Sequence, residues 1–279
     1  MSPTADLSSD VASVRLWSLG SGSKGNAALI EWAGHRALVD AGFDLPELVA
    51  RIRAAGVAPA EIDEVFLTHG HRDHVQGAAD GARIYGWRLW GTLGTVWRWR
   101  DLRDVPLEPF EPGDVVEAPP FRFHTAGTPH DIDDSSAVVV EVPDAGVRIG
   151  YCTDLGHVPP AVAALLVDLD ALILESNHDP ALLAAGPYRP DVKERVAGDL
   201  GHLSNAQAAT LAHTVVGTRT RLLLLAHISR HNNTPALALA TMREVLGDRL
   251  AHLELVAAPQ DEVAGPWTIP ARVTVTRAT

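Results

Sequence analysis

The 279 residues hold 23 Lys and Arg against 35 Asp and Glu, a formal net charge of −12 with histidine neutral, and 46% of them are hydrophobic. That balance argues against a protein that grips polyanions by bulk charge, although bound cations would change the local field. One cysteine, Cys152, ends an apolar run. It excludes an internal disulfide framework and predicts a buried thiol in a reducing cytoplasm. No apolar run is long enough to span a bilayer, and residues 161–174 are interrupted by Asp168 and Asp170. The N-terminus has no basic and apolar regions of the signal-peptide kind. A cytoplasmic protein with no membrane partner is expected.

In chain order, residues 1–12 are polar and predict a frayed tail, and residues 13–279 read as a single domain. Residues 14–19 alternate as a strand. Gly20-Ser21-Gly22-Ser23-Lys24-Gly25 matches the G-x-G-x-x-G dinucleotide pattern, but strands at 27–32 and 36–40 follow where that motif needs a helix. The segment is read as a turn. Helical periodicity over 45–55 stops at Gly56. A strand at 64–68 then runs into Thr68-His69-Gly70-His71-Arg72-Asp73-His74. Further on, Tyr85 to Trp90 and Trp97 to Arg100 interleave aromatics with arginines. Such a stretch either stacks bases while meeting phosphates or buries its indoles and leaves its arginines in water; the usual burial of Trp favours packing. Strands are predicted at 121–123, 137–142, 147–152, 169–174 and 221–226. Helices are predicted at 205–216, capped by Ser204 or Asn205, and at 235–246, with Pro235 in its first turn. No long linker or internal repeat stands out.

His69, His71, Asp73 and His74 place four metal-capable side chains within six positions. One ion cannot easily take all four from so short a segment, so two neighbouring ions are predicted, one on His69 and His71, the other on Asp73 and His74. Other donors must come from elsewhere. Asp154 follows the strand ending at Cys152, and a carboxylate can bridge two cations. His227 follows the strand ending at Ala226, and His130 lies in the loop Pro129-His130-Asp131. His124 competes with His130, but it follows a Phe-alternating strand and reads as half-buried.

This order of donors resembles the metallo-β-lactamase-fold hydrolases. The finer resemblance is to the YycJ/WalJ type, relatives of the RNase Z and RNase J nucleases. It is carried by Ser21 to Asn26, Leu38-Val39-Asp40-Ala41-Gly42-Phe43, Glu175-Ser176-Asn177-His178-Asp179, Gly201-His202-Leu203-Ser204-Asn205 and Ala226 to Asn233. The resemblance implies an α/β (α+β) fold, a four-layer αββα sandwich with a binuclear site at the edge of two sheets. It implies that His69, His71 and His130 hold one metal, that Asp73, His74 and His227 hold the other, and that Asp154 bridges. Zinc is the default for such donors, with manganese or iron as alternatives. Two dications set against two aspartates and a bridging hydroxide leave a small positive surplus, suited to an anionic substrate.

The implied activity is that of a phosphodiesterase or nuclease, exonuclease-like on DNA, with a metal-bridging hydroxide as nucleophile; DNA is favoured as substrate over RNA. In that scheme Asp73 accepts a proton while ligating, and His202 protonates the leaving group or contacts phosphate. His178 orients a ligand or packs in the core. His231, Asn232 and Asn233 contact the substrate backbone or form a solvated loop. The competing reading is a thioester or lactone hydrolase of the glyoxalase II or lactonase kind. Such enzymes usually carry G-H-[ST]-x-G where this chain has Pro129-His130-Asp131. The 72 positions between Asp154 and His227 leave no room for the β-CASP insertion of larger relatives.

Overall fold

The computed structural model describes residues 12–272. Six strands come first: β1 (Ser13–Gly20), β2 (Ala27–Trp32), β3 (His35–Val39), β4 (Glu64–Phe66), β5 (Arg88–Gly91) and β6 (Leu107–Pro109). Seven more form a second sheet: β7 (Val115–Ala118), β8 (Phe121–Gly127), β9 (Ser136–Val142), β10 (Val147–Cys152), β11 (Ala171–Glu175), β12 (Leu222–Ala226) and β13 (Glu254–Ala257). The chain then returns to the first sheet, where β14 (Ala264–Pro270) pairs antiparallel with β1. Four helices accompany the first sheet, α1 (Leu45–Ala54), α2 (Arg72–Val75), α3 (Ala78–Tyr85) and α4 (Leu93–Arg98). Five accompany the second, α5 (Pro160–Leu165), α6 (Pro180–Ala185), α7 (Pro190–Ala197), α8 (Asn205–Val215) and α9 (Pro235–Leu246).

Side-chain alternation builds the layers. In β1, Val14 and Leu16 enter a core between the sheets, while Trp17 and Leu19 enter a second core shared with Leu48 and Ile52 of α1. In β12, Leu222, Leu224 and Ala226 face the inter-sheet core, and Leu223 and Leu225 pack with Ala208, Ala212 and Met242 from α8 and α9. Both faces of β12 are covered, which is why its sequence is an unbroken apolar run. The result is the αββα sandwich expected from the sequence.

The two halves repeat one plan, which the sequence does not reveal. Strands β1, β2 and β3 run antiparallel, and β4, β5 and β6 then extend the sheet in parallel from β3. Likewise β8, β9 and β10 run antiparallel, and β11, β12 and β13 extend the other sheet in parallel from β10. The carboxyl ends of β3, β4, β8, β10, β11 and β12 therefore gather at one rim, where side chains from both sheets meet.

The predicted strands and helices are all present, with ends shifted by a residue or two, except that the strand expected over 121–123 runs four residues further as β8. The H-x-H-x-D-H segment is not loop throughout, since its second half coils into the single turn of α2. Strands β5, β6, β7, β13 and β14 add to the prediction; they are short or mostly uncovered, and β14 carries Pro266 and Pro270. The tail expected over 1–12 lies outside the described residues apart from Ala12. No helix of the described residues is long and apolar enough to cross a membrane.

Candidate metal centre

Asp40, Asp154 and His227 each lie one or two residues past the end of a strand and take left-handed backbone angles, φ +64°, +62° and +50°. Non-glycine residues adopt such angles at a cost that packing must hold in place, a pattern concentrated at functional sites. Here the bend turns each side chain from the sheet toward the shared rim.

His69 Nε2 and His130 Nε2 both lie 3.2 Å from His71 Nδ1. The opposite nitrogen of each ring is engaged. His69 Nδ1 is 3.1 Å from the Thr68 hydroxyl, which itself bonds Asp40 at 3.0 Å. His130 Nδ1 donates to the Gly201 carbonyl at 3.1 Å, and His71 Nε2 faces Asp131 at 3.2 Å. Three ring nitrogens thus converge with their tautomers fixed from behind. Their spacing is that of nitrogens around a tetrahedral ion with bonds of about 2.0–2.1 Å. Burial, followed by the neighbouring His74, pushes the pKa of His69 well below the ordinary imidazole value, which keeps it a neutral donor.

The second group is Asp73, His74 and His227, with His74 Nε2 at 3.7 Å and His227 Nε2 at 3.6 Å from Asp73 Oδ2. Asp154 lies between the groups. Its Oδ2 is 3.2 Å from His74 Nε2, and its Oδ1 is 3.7 Å from His130 Nε2. His74 Nδ1 donates to Asp40 at 2.7 Å, and His227 Nδ1 donates to Glu175 at 3.2 Å. Burial opposes a charge on His227, yet Asp154, Asp73 and Glu175 raise its pKa to about 10. Burial likewise opposes a charge on His74, and Asp40, Asp154 and Asp73 outweigh it. The carboxylates thus favour positive charge here, which a proton or a metal cation can supply. Asp154 Oδ2 and His227 Nε2 are buried without a hydrogen-bond partner in the protein. Buried polar atoms of this kind call for a ligand, and the donor set fits divalent cations.

Two carboxylates behind the donors were in motifs quoted from the sequence but carried no assigned role. Asp40 receives His74 Nδ1, the Thr68 amide at 2.9 Å and the Thr68 hydroxyl. Glu175 receives His202 Nδ1 at 2.9 Å, the Asp154 amide at 2.9 Å and the Leu203 amide at 2.7 Å, besides His227. Burial pushes the Glu175 carboxyl up, but His202 and His227 pull it down to about 2. Each ends an apolar strand in a charge, the signature that singled out Asp154. Counting both turns the small positive surplus of the sequence reading into a negative one, so attraction for an anion falls to the rim. A cleft of about 370 Å³ there is lined by the cluster together with Arg72, Arg98 and Arg195.

The loop after β1 closes over the cluster. The His227 amide donates to Ser21 Oγ at 2.7 Å, and Asn26 Nδ2 donates to the Asp73 carbonyl at 3.2 Å. Gly42 is required because a Cβ there would fall 1.7 Å from the Asp73 carbonyl oxygen.

The remaining residues named from the sequence are scattered around this centre. The His202 ring is 5.1 Å from those of His130 and His227. His124 is elsewhere, on Glu141 at 2.6 Å. His178 is buried, its Nδ1 has no protein partner, and burial lowers its pKa. His231 is exposed and edges onto Tyr188. Asn232 and Asn233 are buried and tie loops together, Asn232 through Ser229 and the Asp179 amide, Asn233 through the carbonyls of Ser176 and Asn177. The Trp/Arg stretch divides. Trp87 is buried and donates to the Pro59 carbonyl at 2.7 Å, whereas Trp97 is 70% exposed.

A family model described as a beta-lactamase superfamily domain matches residues 35–228. The chain belongs to that superfamily. All seven donors lie in the matched span. Among its relatives, exodeoxyribonuclease WalJ of Streptococcus pneumoniae is 30% identical over 80% of this chain and 85% of its own, placing the chain in the WalJ/YycJ group. Exodeoxyribonuclease YycJ of Bacillus anthracis is 28% identical over 83% of this chain and 88% of its own. The metallo-beta-lactamase fold protein YhfI of Bacillus subtilis superposes with a TM-score of 0.70, at 18% identity over 92% of this chain and 99% of its own, a likeness of fold.

Proposed function

We propose that this superfamily member is a metal-dependent phosphodiesterase that shortens DNA from an end, with two zinc ions held by the seven donors. His69, His71 and His130 would hold one ion, Asp73, His74 and His227 the other, and Asp154 both. The observation that carries the reading is the convergence of these donors at one rim, with their far nitrogens engaged and with Asp154 Oδ2 and His227 Nε2 lacking protein partners. Bound there, divalent cations supply Lewis acidity: they acidify water and offset charge on a phosphoryl oxygen.

The chain's own residues do the rest. Asp73, with about a quarter of its side chain exposed, faces the cleft; burial opposes its charge, but His74 and His227 hold its pKa down at about 2, so a proton it takes up is passed on at once. His202 Nδ1 donates to Glu175, which leaves Nε2 to pass a proton to the departing oxygen. The Arg72 and Arg98 guanidiniums form no ion pair among the described residues, so they are available to a phosphate backbone. Action on nucleic acid, and DNA before RNA, is supported by the names of the WalJ and YycJ relatives. The single buried Cys152, whose thiol burial pushes up, agrees with a reducing cytoplasm, where we place the protein.

The test is to incubate metal-loaded protein with end-labelled single- and double-stranded DNA and RNA, beside a thioester and a lactone. Stepwise shortening of DNA is expected; turnover of the thioester or lactone alone would overturn the reading.

A further inference from the structure

Beside the reaction cleft lies a hollow of about 610 Å³ between α4 and the loop after His130. Leu93, Trp97 and Arg98 form one wall, and Ile132, Asp133 and Asp134 the other. Arg98 lines both this hollow and the cleft that holds the metal-ligand cluster, so the two adjoin at its side chain. We propose that Trp97 and Arg98 form a platform for an unpaired nucleotide next to the scissile phosphate, with the base on the indole and the neighbouring phosphate on the guanidinium. The inference deepens the nuclease reading above and rests on it.

Four observations support it. Of the seven tryptophans, Trp97 alone is exposed, at 70%; the others are buried or half-buried. The ring is also held in place. Thr92 caps α4, Arg103 lies over Trp97 at 5.1 Å from its centroid, and the Arg103 guanidinium donates to the Trp97 carbonyl. Beside a reaction cleft, such a ring, with Leu93 exposed next to it, offers a face on which a base can stack. The third observation is the setting of Arg98. A Cβ on Gly70 would come within 3.0 Å of Arg98 Cβ, so α4 packs directly on the H-x-H-x-D-H segment, and the guanidinium has no carboxylate partner among the described residues. In a chain of net charge −12, an unpaired cation at this place is informative. The fourth is the polarity of the walls. Asp133 and Asp134 repel a phosphate from the far side, and Asp134 is already engaged by the Gly94 amide at 3.1 Å. The backbone therefore tracks along Arg98, and the base lies toward Trp97, Leu93 and Ile132.

Only an unpaired or terminal base offers a free ring face, because bases inside a duplex are stacked on their neighbours. Stacking tolerates every base, so the platform selects single-stranded or frayed ends without reading sequence.

The test measures binding apart from turnover. Metal-loaded protein is titrated into a labelled, phosphorothioate-linked single strand that resists cleavage, and anisotropy gives Kd. Trp97→Ala is expected to raise Kd roughly 5- to 100-fold, the effect of one stacked base, equally for DNA and RNA strands. Trp97→Phe should recover most of the affinity, and covalently closed circular duplex, which has no terminal base, should bind both variants about as well as the original protein does. Arg98→Gln should flatten the salt dependence of log Kd by about 0.7, one phosphate contact on a single strand. If the original protein degrades polynucleotides while Trp97→Ala binds the single strand as tightly, the platform is wrong and the nuclease reading stands. The platform is equally wrong if Phe does no better than Ala. If the original protein neither binds nor degrades any polynucleotide, both readings fall.

Discussion

Asp40 and Asp154 hold corresponding places in the two halves of the molecule. Each follows the strand from which the parallel part of its sheet extends, each is buried, and each takes a left-handed backbone angle, +64° and +62°. They serve different ends. Asp40 is surrounded by donors, with Thr68 giving its amide and hydroxyl and His74 its Nδ1–H. Asp154 receives no comparable set: its Oδ2 has no hydrogen-bond partner and faces ring nitrogens. The fold offers the same aimed carboxylate twice. What surrounds it decides whether its oxygens are taken up by neighbouring donors or left open.

Substituting the two aspartates sharpens that contrast, and the largest loss should come from Asp154. Asp154→Ala should leave protein that retains no tightly bound metal by elemental analysis, with turnover at background, because in the proposed arrangement both ions would share that side chain. A fully active Asp154→Ala enzyme would remove the basis for the assignment. Next in size is His202→Ala, which should keep its metal and lose about 100- to 10,000-fold in kcat, the usual worth of a positioned proton donor. Metal analysis beside rates separates this from Asp154→Ala. Asp40→Asn should weaken metal affinity by roughly 10- to 100-fold, the typical effect of losing the partner behind a metal-binding imidazole. Competition with a chromophoric chelator measures this, and added metal should restore most of the activity. Equal loss in Asp40→Asn and Asp154→Ala, with no rescue of the former, would erase the distinction between them. The smallest effect is on stability. Stripping the metal should lower Tm by about 5 °C or more, since a ligand present at 100 times its Kd stabilises by about 2.7 kcal/mol. Calorimetry with and without chelator reads it.

The architecture was legible where side chains leave a periodic or unbroken apolar trace. β12 and β10 announce themselves because both faces are covered, and α8 and α9 because Ser204 and Pro235 mark their starts. β13 and β14 were not legible, being largely uncovered, and neither was the repeated plan, which lies in strand order and not in residue similarity. In the candidate site the dense H-x-H-x-D-H segment could be read directly. The partners behind it could not be assigned, because Asp40 and Glu175 look like any charge at a strand end until the fold shows what they meet. The tryptophan stretch shows a different limit. Average burial describes Trp87 well and Trp97 poorly, because the difference lies in what packs over each ring.

The Ser21 hydroxyl meets the amide of His227 across 206 positions of sequence. During synthesis β1 must therefore wait for the segment after β12 before the donor set can close. A ribosome-bound chain that stops short of β12 lacks His227 and the clasp upon it, so it is an incomplete chelator. The chemistry of the rim therefore becomes available only after strands of both halves of the molecule have been made.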